Sequence, residues 1–126
     1  MNVDIKITSP DLKLAVEAAK RRPKAVGRAL VDAVEASGFI AEGAAKQALT
    51  EGPTRAIKTG LLRASTRFYE FNPLELKATV YPLVNYAIFV HEGTKHMAPR
   101  PFMKEAVRIA TPAIQREFRD RIRAAI

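Results

Sequence analysis

The chain contains no cysteine, which excludes disulfide staples and thiolate metal sites. No apolar run approaches the ~18 residues of a membrane span. Met1 to Ser9 places Asp4 and Lys6 inside its apolar alternation, which is not the pattern of a secretory signal, so synthesis in the cytoplasm is expected. The six glycines are scattered, and none forms a phosphate-binding loop or a dinucleotide fingerprint. Ser9, Ser37 and Ser65 lack the flanking residues of a nucleophile elbow. Glu70, Glu75 and Glu92 are the carboxylates nearest to apolar segments, and nothing pairs them for acid–base work. His91 and His96 frame a Glu-Gly-Thr-Lys stretch that superficially resembles a zinc-protease helix. They are five residues apart, so on a helix they would diverge by ~140°, and Gly93 would break that helix. The expectation is therefore no enzyme, no cofactor and no metal.

What is present is a single domain, 1–126, with 48% hydrophobic and 27% charged residues. The formal charge is +8 and the pI about 10.1. Ten of the 21 lysines and arginines fall at or before Gly60 and eleven beyond it, so the excess is not gathered in a tail. Such a charge suits nucleic acid or an acidic protein surface, and equally serves solubility. Arg21-Arg22-Pro23-Lys24 and the arginines at 116, 119, 121 and 123 are the basic clusters; each alone reads as a solvated helix face. No aromatics are interleaved with them, which argues against a base-stacking module.

The pattern along the chain predicts an α+β fold: a small antiparallel sheet packed against two long, kinked helices. Val3, Ile5 and Ile7 alternate with polar residues as a half-buried strand. A helix opens at Ser9-Pro10-Asp11 and is interrupted at Pro23. From Pro23 to Glu51 the spacing of Val26, Leu30, Val34, Ala41, Ala44 and Ala48 is helical, and Gly52-Pro53 stops it. Gly27, Gly38 and Gly43 within this helix are expected to allow close approach of a neighbour. Residues 54–58 read as an exposed loop. Thr59 is expected to cap a short turn, with Leu61 and Leu62 as its anchors and Arg63 free to reach a carboxylate or phosphate. Ser65–Phe71 and Leu76–Tyr81 form a hairpin turned at Asn72-Pro73, with Pro82 ending or edging the second strand. Phe102, Ala106, Ile109, Ala113, Phe118 and Ile122 mark a final helix, with a kink expected near Ala110 and a restart at Thr111-Pro112 as N-cap and N1.

The stretch from Asn85 to Val107 links these parts. Tyr86–Glu92 reads as about two turns of helix, capped by Asn85 and ended by Gly93; a short strand is the rival reading, because Ile88 and Val90 are β-branched. Pro99 and Pro101 flank Arg100 and make a stiff cationic elbow before the final helix. Tyr86 and Phe102 are both expected in the core.

Two motifs carry a resemblance. Thr59-Gly60-x-Leu62-Arg63-x-Ser65 precedes the hairpin. Tyr86-Ala-x-x-Val-x-Glu92-Gly93-Thr94 and Met97-Ala-x-Arg100-Pro101-Phe102-Met-x-x-Ala106 follow it. In this order they resemble the tail-component (tail-completion) family of long-tailed double-stranded-DNA bacteriophages. The family's usual pattern has an aromatic or Phe-Gly-Thr element where this chain has His91-Glu92-Gly93-Thr94. The specific likeness covers Thr59 to Val107.

The resemblance implies a structural virion protein of the head–tail junction, a neck component that joins or terminates the tail. It implies a homo-oligomer, such as a sixfold ring around the DNA channel, contacts with other neck or tail proteins, and non-specific contact with DNA in the channel. It also implies assembly in the host bacterial cytoplasm, with no membrane partner. Arg63, Lys95, Pro99, Arg100 and Pro101 are the expected interface residues. The alternative reading, from a different class, is a small basic nucleoid-type DNA-binding protein.

Overall fold

A computed structural model of the chain describes residues 3–5, 20–56 and 60–126. Its elements, in order, are β1 (Val3–Ile5), α1 (Pro23–Thr50), α2 (Leu61–Ser65), β2 (Arg67–Asn72), β3 (Lys77–Tyr81), α3 (Ala87–Glu92) and α4 (Phe102–Ala125). The fold is α+β. The strands form one antiparallel sheet in the order β1-β3-β2, so the first strand joins the hairpin as its pattern predicts. The helix start at Ser9 and the cap at Thr59 lie outside the described residues.

The two long helices pair because each has one apolar stripe. Val26, Ala33, Val34, Ala41, Ala44, Ala45, Ala48 and Leu49 form the buried face of α1. Phe102, Met103, Ala106, Ala110, Phe118 and Ile122 form that of α4. The pairing is antiparallel. Ala41 to Leu49 share a core cluster with Phe102 to Ala110, whereas Val26 to Val34 share one with Phe118 and Ile122. The sheet packs on α1, with Val80 in the first cluster and Ala78 in the second.

Several local expectations are met. Pro23 takes the start of α1 after a break at Arg22. Gly52, at φ +78°, follows its end. The Asn72 side chain turns the hairpin by accepting the amides of Leu74 (3.0 Å) and Glu75 (3.1 Å). β3 ends at Tyr81, before Pro82.

Others need correction. The chain after α1 does not run exposed from residue 54. The buried Thr54 hydroxyl donates to the Ala48 carbonyl at 2.7 Å, and the Ala56 amide donates to Leu49, folding this segment back over the helix end. Among the described residues, of the three glycines within α1 only Gly38 meets a neighbour: a Cβ there would lie 2.6–2.7 Å from ring carbons of Phe68. Gly27 and Gly43 face open space. β2 starts at Arg67 rather than Ser65, because Ser65 belongs to α2 and Thr66 turns its hydroxyl back onto the Leu62 carbonyl at 2.8 Å. α4 runs through Pro112 without the expected restart. Thr111 is an interior residue whose hydroxyl donates to Val107 at 2.6 Å. Phe118 and Ile122 keep the second half of the helix packed against α1.

Candidate functional site

The two motifs converge on one end of the molecule. Leu62 from α2, Ala87 from α3 and Phe102 from α4 lie in the same core cluster, and Phe102 is fully buried. The hydroxyl of Ser65 links α2 to the segment that precedes α3. It donates to the Leu62 carbonyl at 3.0 Å and accepts the Leu83 amide at 3.3 Å. Gly60 precedes α2 at φ +78°, a conformation that costs a glycine little, and its carbonyl accepts the Ala64 amide at 2.9 Å. Of the two expected anchors only Leu62 is buried. Leu61 is exposed, because a five-residue helix can turn only one side to the core.

α3 is a helix, not a strand, and Gly93 closes it as expected, its amide donating to Phe89 at 2.8 Å. Its start differs: Tyr86, not Asn85, is the cap residue, and no side chain caps it. Ala87 faces the core, with Val90 packed beside it. His91, on the same side, meets the Phe102 ring edge-on with centroids 5.5 Å apart. Loss of hydration holds the His91 imidazole below its ordinary pKa, reinforced by Lys104 and opposed by Glu92.

The other side of α3 carries exposed apolar side chains on either side of the exposed Glu92. Tyr86 is 41% exposed, which contradicts its expected core position. Ile88 (44%), Phe89 (56%) and the preceding Leu83 (60%) are exposed with it. Four large apolar side chains within seven residues are thus left exposed among the described residues. Periodicity held the signal. On a helix this short, Ala87, Val90 and His91 occupy one side at spacings of three and four, so Ile88 and Phe89 must point elsewhere.

The elbow is stapled to this helix. Thr94 and Met97 bridge through their backbones, with the Thr94 amide donating to Met97 at 2.8 Å. The Arg100 amide donates to the Val90 carbonyl at 2.9 Å. Gly93 sits at φ +80°, with the Pro99 nitrogen and the Met97 carbonyl only 2.7 and 2.8 Å from where a Cβ would be. Lys95, Pro99 and Arg100 are exposed and Pro101 is half-buried. Pro101 precedes α4 rather than opening it. Among the described residues no carboxylate pairs with Lys95, Arg100 or Arg63. Glu92 is exposed.

No family model, curated protein or solved structure matches the chain.

Among the described residues no cluster of histidine and carboxylate side chains could hold a metal ion, and no helix is long and apolar enough to cross a membrane. Among the described residues, α3 and the elbow thus present exposed apolar side chains together with exposed Glu92, Lys95 and Arg100. That combination suits contact with another protein.

Proposed function

We propose that the chain is a structural component of a phage head–tail junction, assembling with copies of itself, as a ring, to complete the tail. One observation carries the assembly part: the exposed apolar side chains of Leu83, Tyr86, Ile88 and Phe89, followed in the chain by a stapled loop with exposed Lys95 and Arg100. A second copy of the chain covers them. A head-to-tail contact between identical subunits closes into a ring when its rotation permits, and the elbow's two prolines lower the entropy lost on docking. The phage part is supported by the two motifs, whose residues build this end of the molecule: Leu62, Ala87 and Phe102 as its core, Gly60 and Gly93 as its turns.

The experiment is deletion of the coding gene from the phage genome that carries it. Filled heads and finished tails that fail to join are expected by electron microscopy. Intact infectious virions would overturn the reading.

A further inference from the structure

A head-to-tail contact between identical subunits uses two different surfaces of each chain. The turn between β2 and β3 presents a second one. Leu74 is 95% exposed there, more than any other large apolar residue among those described. The turn that carries it is fixed from both sides. The Asn72 side chain accepts the Leu74 and Glu75 amides, and Leu76 packs against the core cluster of Val26, Phe118 and Ile122. Leu76 has a left-handed backbone, φ +51°, which a bulky residue keeps only where its surroundings enforce it. Phe39 and Tyr69 are also exposed, but both are engaged within the chain. Phe39 meets the Phe68 ring, and Tyr69 lies beside Tyr81 and donates to the Ser65 carbonyl. At its exposure Leu74 has no comparable contact. Glu75 beside it is exposed and forms no ion pair among the described residues. Leu76 and Ala78 place this tip where α1 begins and α4 ends, whereas Ala87 of α3 lies with Leu49 and Phe102 at the opposite end.

We propose that the hairpin tip is the other half of the subunit contact: Leu74 of one copy docks among the exposed side chains of α3 on the next, and Glu75 meets Arg100 of the elbow. This docking rests on the self-assembly proposed above and supplies the surface that it requires. Charge matches across the contact. The tip offers an unpaired carboxylate, and Arg100 is an exposed guanidinium that no described carboxylate takes, with the planar fork that clasps one. Both sides are ordered in advance. Asn72 fixes the turn, and the Arg100 amide is held by the Val90 carbonyl, so little conformational freedom is lost on docking. The two surfaces lie at opposite ends of the paired helices, so the contact is head to tail and passes from copy to copy until it closes. Lys24 and Arg28 are exposed at the tip's end of α1. Reversing Glu75 would therefore set cations against cations.

The test is native mass spectrometry of the whole chain at micromolar concentration, with wild type, L74S, and L74S mixed with Y86S/F89S. Wild type is expected as a closed oligomer. L74S is expected as a monomer whose melting temperature stays within about 1–2 °C of wild type, because the exposed side chain leaves no cavity. L74S keeps the α3 surface and Y86S/F89S keeps the hairpin. Mixing these two monomers should give a one-to-one heterodimer and nothing larger, a stoichiometry that requires two different surfaces in contact. E75K should raise the concentration needed for assembly by about tenfold, and adding R100E to E75K should restore it. A wild type that stays monomeric overturns the self-assembly reading and this inference with it. If wild type assembles, an L74S variant that forms the same oligomer overturns this inference alone. A mixture of the two monomeric variants that stays monomeric, or an E75K variant that R100E fails to rescue, does the same.

Discussion

At single residues, space and solvation decide outcomes that composition does not. Gly38 and Gly43 are both helical glycines, yet only Gly38 faces a ring, and that ring is held edge-on between Phe39 and Phe71 at centroid distances of 5.1 and 6.2 Å. Gly38→Ala gains ~1 kcal/mol in helix propensity but overpacks at ~1–3 kcal/mol, so denaturant melts should show a loss, whereas Gly43→Ala should gain ~0.5–1 kcal/mol. Phe102 is fully buried beneath both motifs, and Phe102→Ala is expected to cost ~3–5 kcal/mol in the same melts. His91 adds a pH dependence. Its folded pKa lies below the unfolded value, so the unfolded chain binds the extra proton first. The stability it contributes is complete above the unfolded pKa of ~6.5 and is lost as pH falls through the folded one. Melting temperatures taken from pH 8 to 5 should fall less steeply in His91→Gln than in wild type.

At the level of elements, the elbow is a rigid extension of α3 rather than a free loop, because Val90 and Arg100 are joined through the backbone and Thr94 bridges Met97. Its exposed guanidinium has no internal carboxylate among the described residues. Arg100→Ala should therefore leave the melting temperature within about 1–2 °C of wild type, a surface-sized effect, while weakening self-association. A clear drop in melting temperature would show an internal role instead. The elements themselves were largely legible in the sequence. Caps and breakers at Pro23, Gly52, Asn72 and Gly93 mark real boundaries. What was not legible depends on tertiary partners. Pro112 is tolerated because Phe118 and Ile122 keep α4 seated on α1. Thr54 is buried because it folds back on Ala48. Tyr86 is exposed because a helix of six residues turns Ala87, Val90 and His91 inward in its place.

Across the whole molecule, the antiparallel pairing of α1 and α4 divides the surface into two ends of different character. The exposed apolar residues of α3 and the stapled elbow lie where α1 ends and α4 begins, and the start of α1 and the end of α4, at the other end, carry individually exposed lysines and arginines. Neither end could be read from sequence order, since each is assembled from stretches far apart in the chain. The sequence supplied the interface candidates Lys95, Arg100 and Arg63, but the apolar residues Leu83, Ile88 and Phe89 emerge only once the short helix is oriented. The central claim is that the α3 surface docks a second copy of the chain. Native mass spectrometry of purified protein at micromolar concentration tests it most directly, comparing wild type with Tyr86→Ser/Phe89→Ser. A closed oligomer of one stoichiometry for wild type, and a monomer of unchanged melting temperature for the double variant, is the predicted result. A wild-type chain that stays monomeric as concentration rises, or a double variant that forms the same oligomer, would contradict it.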